Sequence, residues 1–98
     1  MSSISVLAVE PGKRPSLISI DNDIAIFEDI VNGPVDLLPF YRSPFKIVCH
    51  LNDSFELSTK KPENTFFIVK HTDVFLGIDR TEAEELREVL RTKLKKWK

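Results

Sequence analysis

The residues best suited to chemistry are the two cations of the first loop, Lys13 and Arg14. They follow Pro11-Gly12, where proline presets φ at the first central position of a type II turn and glycine takes φ > 0 at the second. Cations on a stiff turn beside free backbone N–H groups suit an anion such as a phosphate. The alternative is ordinary solvated charge. The predicted anion site comprises Gly12, Lys13, Arg14, Arg42 and Lys46, with Lys60 and Lys61 as further candidates.

Cys49-His50 is the second pair that invites a chemical interpretation, as a thiolate and its base. Neighbours on a strand point to opposite faces of a sheet, so these two side chains are not expected to meet. The alternation of the segment directs Cys49 into the core, where a thiol behaves as a small hydrophobic group. We therefore predict a structural role for both residues.

The remaining titratable residues show no catalytic or metal-binding pattern. His50 and His71 lie on different strands, without the spacing of metal ligands. Four acidic residues lie close together in the sequence: Asp21, Asp23, Glu28 and Asp29. Helix capping and a solvated helix face explain them more simply than a general acid–base pair does. We predict a protein that is not an enzyme and that uses no metal or cofactor.

Composition favours one ordinary domain. The 98 residues include 42% hydrophobic residues and seven Phe, enough for a single core over residues 1–98. The formal net charge is -1 and the pI is near 6.1, whereas a protein that coats nucleic acid carries a strong basic surplus. Nucleic acid is therefore the less favoured partner.

The sequence also lacks signals for membranes and for oxidised cysteines. No apolar run approaches the ~18 residues of a membrane helix, and the first residues do not resemble a signal peptide. The one cysteine, Cys49, excludes an internal disulfide and a cysteine-rich zinc site. We expect a cytoplasmic protein with no membrane association.

The hydrophobic pattern predicts several short strands. Residues 4–9 would present apolar side chains to both faces of a sheet, which favours a central strand. Pro39 restricts its own strand to a sheet edge or a bulge, because proline has no N–H to donate. The predicted strands lie at about residues 4–9, 17–20, 35–41, 45–51, 65–69 and 74–78, with a further one beginning at Phe55 and Leu57.

Two amphipathic helices complete the pattern. A short one at about residues 23–32 follows three candidate N-caps and ends at Gly33. A long C-terminal one, at about 81–97, opens with Thr81 and Glu84 as a capping box. We predict an α+β domain with a mainly antiparallel sheet of about five to seven strands, one face of which the two helices cover.

The order of these features resembles a known family. It combines Val9-Glu10-Pro11-Gly12-Lys13 between two strands, a short helix closing on Gly33, a Val48-Cys49 strand, a strand with the sequence of residues 66–69 and an acidic-to-basic terminal helix. The arrangement is similar to that of small proteins encoded mainly by bacteriophages, plasmids and bacteria, whose domain has no assigned function. The resemblance implies no catalytic residue.

Size, the basic turn and this resemblance favour a non-enzymatic accessory protein of a phage or mobile element. It would act by binding a host protein or a small phosphorylated ligand, and a counter-defence role fits that profile. The alternative is a small nucleic-acid-binding regulator that places the basic C-terminal helix on phosphates. Its cations are Arg91, Lys93, Lys95, Lys96 and Lys98. A homo-oligomer, through a sheet edge or the last helix, is also compatible with the sequence.

Overall fold

The structure is a computed structural model that describes residues 3–10, 12–50 and 65–96, with side chains as far as residue 93. These residues form an antiparallel sheet and two helices, which confirms the predicted α+β class. The elements in chain order are β1 (Ser3–Val9), β2 (Ser16–Asp21), α1 (Ile24–Val31), β3 (Asp36–Pro39), β4 (Phe45–Cys49), β5 (Phe66–His71), β6 (Phe75–Leu76) and α2 (Arg80–Lys96).

The sheet has the strand order β2-β1-β5-β4-β3, and the short β6 pairs with β5. As predicted, β1 is an inner strand with β2 beside it, and the strand that ends at Pro39 lies at an edge. The predicted strand at Phe55 and Leu57 lies outside the described residues. Within those residues, no helix is both long and apolar enough to cross a membrane.

A row of aliphatic side chains runs across the whole sheet. Leu17 pairs with Leu7, Leu7 with Ile68, Ile68 with Ile47, and Ile47 with Leu38. Directly opposed residues in antiparallel strands share a face, so this row forms one apolar surface. It belongs to the larger of two hydrophobic clusters in the described residues.

Helix α2 covers that surface with three fully or almost fully buried side chains, Ala83, Leu86 and Leu90. Helix α1 lies on the other face, where Phe27 and Val31 pack in the second cluster. The prediction that both helices cover one face is therefore wrong. The central strands are apolar on both sides, so each face needs its own helix.

Both ends of α1 are capped by local sequence. The carboxylate of Asp23 accepts a hydrogen bond from the Ala25 N–H at 2.9 Å, as predicted for an N-cap. Asn32 adopts the left-handed conformation at φ 66°, and the N–H of Gly33 donates to the Glu28 carbonyl at 3.0 Å. The helix therefore begins and ends within about one residue of the prediction.

Candidate functional site

The described residues of the first loop, 10 and 12–15, fit the predicted type II turn. The Lys13 N–H donates to the Glu10 carbonyl at 3.1 Å, and Gly12 has φ +74°, close to the value that the third residue of this turn needs. Lys13 Nζ lies 3.2 Å from Glu10 Oε2, and the lysine side chain is 71% exposed. One of the two predicted anion-binding cations thus already has a carboxylate partner, and the exposed Arg14 follows it.

The second pair of predicted cations lies in and after the β3–β4 turn, residues 40–44. Val9, which leads into the first loop, pairs with Phe66, whereas Phe45, which follows the β3–β4 turn, pairs with Lys70. Four residues of β5, roughly 13 Å of strand, separate these two levels. The register therefore divides the predicted site, with Gly12, Lys13 and Arg14 at one end of the sheet and Arg42 and Lys46 at the other. The further candidates Lys60 and Lys61 lie outside the described residues.

The β3–β4 turn is shaped by an unusual backbone conformation. Tyr41 has φ +62°, a left-handed value that costs a residue with a bulky side chain about 1–2 kcal/mol. Backbone hydrogen bonds hold it there, from the Phe40 N–H to the Phe45 carbonyl at 3.3 Å and from the Phe45 N–H to the Arg42 carbonyl at 2.9 Å. The result is an aromatic ring 54% exposed beside a guanidinium.

Arg42 is held from three sides. Its Nη2 donates to the carboxylate of Glu85 on α2, with N···O distances of 3.1 and 3.4 Å. Its Cζ atom lies 5.4 Å from the ring centre of Tyr41 and 5.2 Å from that of Phe45, within cation–π range. The Glu85 hydrogen bond, followed by that of Tyr41, raises the pKa of Arg42 above its usual value. The guanidinium is therefore charged, and with 54% of its side chain exposed it contacts three neighbouring side chains at the surface.

A cavity of about 370 Å³ opens at this turn. Its lining residues are Pro39, Phe40, Tyr41, Arg42, Ser43, Phe45 and Lys46. They bring together two cations, an exposed hydroxyl and exposed aromatic surface. We name this cavity and its lining the turn pocket. Sequence reasoning found its two cations but missed Tyr41, Ser43 and the supporting Glu85, which is 43 positions from Arg42.

A second cavity, of about 440 Å³, lies at the C-terminal end of α1. Its lining includes Glu28, Asp29 and the turn at Gly33 and Pro34. The two carboxylates give it the wrong charge for the predicted phosphorylated ligand. Glu28 and Asp29 are exposed on the helix, as expected of a solvated face.

Cys49 and His50 lie on opposite faces of the sheet, as predicted. Cys49 is fully buried in the cluster under α2, where loss of solvation, followed by the charge of Asp36, raises its pKa to about 12. On the other face His50 Nδ1 lies 2.9 Å from the Pro34 carbonyl oxygen, to which it donates. The thiol is thus a protonated core group and the imidazole supports the end of α1.

The other candidates do not assemble a second site in the described residues. His71 packs its ring on Phe75, with centroids 4.6 Å apart, at the end of the sheet away from His50. Among the residues that the structure describes, no group of three or more potential ligands is close enough to hold a metal ion. On α2, Arg91 Nη2 lies 2.7 Å from Glu88 Oε1. The side chains of Lys95, Lys96 and Lys98 lie outside the description.

No known family model, curated protein or solved structure matches the chain.

Proposed function

We propose that the protein is a non-enzymatic accessory protein of a phage or mobile element, and that it binds a small phosphorylated ligand in the turn pocket. The biological setting rests on the family resemblance of the sequence. The ligand class rests on one observation: the guanidinium of Arg42, within 5.4 Å of the ring centres of Tyr41 and Phe45, lines a cavity that Lys46 also lines.

The contacts of the guanidinium favour binding because they reduce the side-chain freedom that a ligand has to remove. These contacts are the hydrogen bonds to Glu85 and the two ring contacts. A phosphate needs charge-assisted hydrogen bonds, which arginine and lysine both supply. Lys46 adds the second cation and Ser43 a hydroxyl at the same cavity. Preorganised groups lose less entropy when a ligand arrives.

The pocket's volume and exposed ring narrow the ligand class. Sites for small molecules commonly enclose about 300–1,000 Å³, and 370 Å³ lies at the small end of that range. The exposed face of Tyr41 offers a stacking surface to a planar ring, such as a nucleobase. A mononucleotide combines a phosphate with such a ring, and we take it as the first ligand to test.

Glu85 sets a limit on affinity. Its carboxylate lies 3.1 Å from Arg42 Nη2 and repels an incoming phosphate. The ligand must therefore approach through other donors of the guanidinium, which has five N–H groups in all. Replacing Glu85 by Gln removes this repulsion and keeps a hydrogen-bond acceptor. We expect Glu85→Gln to bind the phosphate more tightly than the wild type.

The decisive measurement is calorimetric titration of the purified protein with AMP, adenosine and inorganic phosphate. We expect AMP to bind more tightly than either part alone, and Arg42→Ala and Lys46→Ala each to weaken AMP binding by about tenfold or more. The control is the double variant Lys13→Ala, Arg14→Ala, which removes two cations from the far end of the sheet. This control should leave AMP binding unchanged.

Three other results would indicate a different site or a different partner. If the Lys13, Arg14 double variant loses binding and Arg42→Ala does not, the ligand lies at the first loop. If no phosphorylated compound is released on denaturing protein that was incubated with extract of phage-infected bacteria, the small-ligand form is wrong and a host protein becomes the expected partner. Association with DNA or RNA that weakens steeply with added salt would favour the nucleic-acid regulator instead.

A further inference from the structure

In the sheet of described strands, β2 is an edge without the proline, cation or short length that commonly protects an edge. Among the described strands it pairs with β1 alone. Exposed edges are commonly protected by lysine, proline or short length. The opposite edge, β3, has four residues and ends in Pro39, whereas the six residues of β2 include neither proline nor a cation.

The register shows which backbone groups of β2 point outward. The carbonyl of Ser5 accepts a hydrogen bond from the Ile78 N–H at 2.8 Å, on the side of β1 away from β2. Ser5 is opposite Ser19, so this is a pair that exchanges no hydrogen bonds between β1 and β2. The N–H and C=O of Ser19 therefore point away from the sheet, as do those of Leu17. At the end of the strand the N–H of Asp21 points the same way, whereas its carbonyl accepts a hydrogen bond from the Asp23 N–H at 2.9 Å.

The side chains of the edge also favour a partner. Ile18 pairs with Val6 and Ile20 with Ile4, so both isoleucines lie on the face that α1 covers. Helix α1 does not extend fully to the edge, since Ile18 is 37% exposed and Ile24, at the start of the helix, is 50% exposed. A strand added beside β2 with apolar residues on this face would cover Ile18.

Charge identifies the partner. The exposed Arg14 precedes β2, whereas the exposed Asp21 lies at its other end. Lys13 pairs with Glu10 and Asp23 caps α1, so the charge argument rests on Arg14 and Asp21. An antiparallel copy of the same strand reverses this polarity and brings the basic end of one chain to the acidic end of the other. The edge is therefore complementary to itself.

We infer that the protein forms a homodimer in which β2 pairs antiparallel with the same strand of a second copy, about a two-fold axis at Ser19. Ser19 faces the partner's Ser19, Leu17 faces the partner's Asp21, and Ile18 faces the partner's Ile20. A two-fold axis at Ile18 would instead set Asp21 against the partner's Pro15, which has no N–H to donate. With the axis at Ser19, each outward-pointing residue faces a residue that has an N–H.

Cross-linking tests this register directly. Residues in a hydrogen-bonded antiparallel pair have Cα atoms about 5.5 Å apart, which suits a disulfide. Ser19→Cys should therefore form a covalent dimer under mild oxidation. The matched control is Ser16→Cys, an exposed residue of the same strand that lies six positions, about 20 Å, from the partner's Ser16 in this register. It should remain monomeric on a denaturing gel, as should the wild type with its buried Cys49.

Sedimentation velocity over a concentration series measures the non-covalent dimer. The wild type should shift from the 11.2 kDa monomer to twice that mass. Ser19→Pro removes an outward N–H that β1 does not use, so it should weaken the dimer by roughly tenfold or more without unfolding the chain. Ser19→Ala keeps that N–H and should dimerise as the wild type does.

Charge exchange provides a test that does not alter the strand's backbone. Arg14→Glu and Asp21→Arg should each weaken the dimer by about threefold, because each gives the two ends of the strand the same sign of charge at residues 14 and 21. The two together reverse the polarity of the strand in both copies and should restore the dimer. A wild type that stays monomeric at every concentration up to about millimolar overturns the inference, as does a dimer that Ser19→Pro leaves intact. AMP binding at the turn pocket is measured separately, so either proposal can fail alone.

Discussion

Asp79 and Glu82 form a reciprocal capping box at the start of α2, in which each side chain accepts a hydrogen bond from the backbone N–H of the other residue. The Glu82 N–H donates to Asp79 Oδ1 at 2.7 Å, and the Asp79 N–H donates to Glu82 Oε1 at 3.0 Å. The same Glu82 oxygen lies 3.1 Å from Nζ of Lys70 on β5. One carboxylate therefore satisfies the start of α2 and also ties the helix to the sheet.

Glu82→Ala should destabilise the protein by about 1–2 kcal/mol, because it removes half of the capping box and the partner of Lys70. Chemical denaturation at neutral pH measures this free energy of unfolding. The matched control is Glu84→Ala, an exposed residue on the same helical turn, for which we expect a change within about 0.5 kcal/mol. Equal effects of the two substitutions would contradict the capping role of Glu82.

This capping box also shows how far the sequence could locate the helix. The residue pairs Thr81 with Glu84 and Asp79 with Glu82 are both capping-box patterns, and the prediction of the former was wrong. The choice depends on a distant contact, because the Ile78 N–H donates to the Ser5 carbonyl at 2.8 Å and fixes the chain just before the helix. Local spacing predicted the helix, whereas a contact between distant parts of the chain set its first residue.

Gly33 and His50 are in tight contact at the end of α1. Gly33 has φ +153°, and a Cβ atom there would lie 2.6 Å from His50 Cδ2. Gly33→Ala should therefore cost about 2 kcal/mol or more, from both strain and overlap. Gly12→Ala is the control, since Gly12 has φ +74° with no atom within 4 Å of the added carbon, and strain alone should cost about 1 kcal/mol.

A double variant separates overlap from strain at Gly33. His50→Ala removes the ring that the added methyl group would meet, at the cost of its hydrogen bond to the Pro34 carbonyl. Gly33→Ala should therefore destabilise the His50→Ala protein less than it destabilises the wild type. We expect the two losses to differ by about 1 kcal/mol. Strictly additive free energies of unfolding would mean that the ring moves aside without cost.

The candidate site was predictable only in its local parts. The left-handed Gly12 and the hydrogen bond from Lys13 to Glu10 followed from the Pro11-Gly12 sequence, because turn geometry depends on neighbouring residues. Whether the two basic loops meet depends on strand register, which the sequence pattern does not determine for the six paired strands. The support of Arg42 by Glu85 spans 43 positions and needs α2 to lie on one particular face. Such long-range pairs have no local sequence signal.

Phe27 lies at the centre of an aromatic group that attaches α1 to the sheet. Its ring meets those of Phe67 and Phe75 edge-on, with centroids 5.2 and 5.0 Å apart. Phe27→Leu keeps an apolar side chain but loses both ring contacts, so we expect a loss of about 1–2 kcal/mol in the free energy of unfolding. Ile24→Ala, on the same helix but 50% exposed, should cost less than about 1 kcal/mol.

The buried thiol of Cys49 should make stability depend on alkaline pH. Its pKa is raised from 9.0 to about 12, so the folded state keeps a proton that the unfolded state loses. Below pH 9 both states hold the proton and this contribution is constant. Between pH 9 and 12 the unfolded state gains from ionisation, and stability should fall by about 1.4 kcal/mol per pH unit. Denaturation curves of the wild type and Cys49→Ala, measured at pH 8 and pH 10, isolate this effect from lysine and tyrosine titration. Parallel losses in both proteins would contradict the raised pKa.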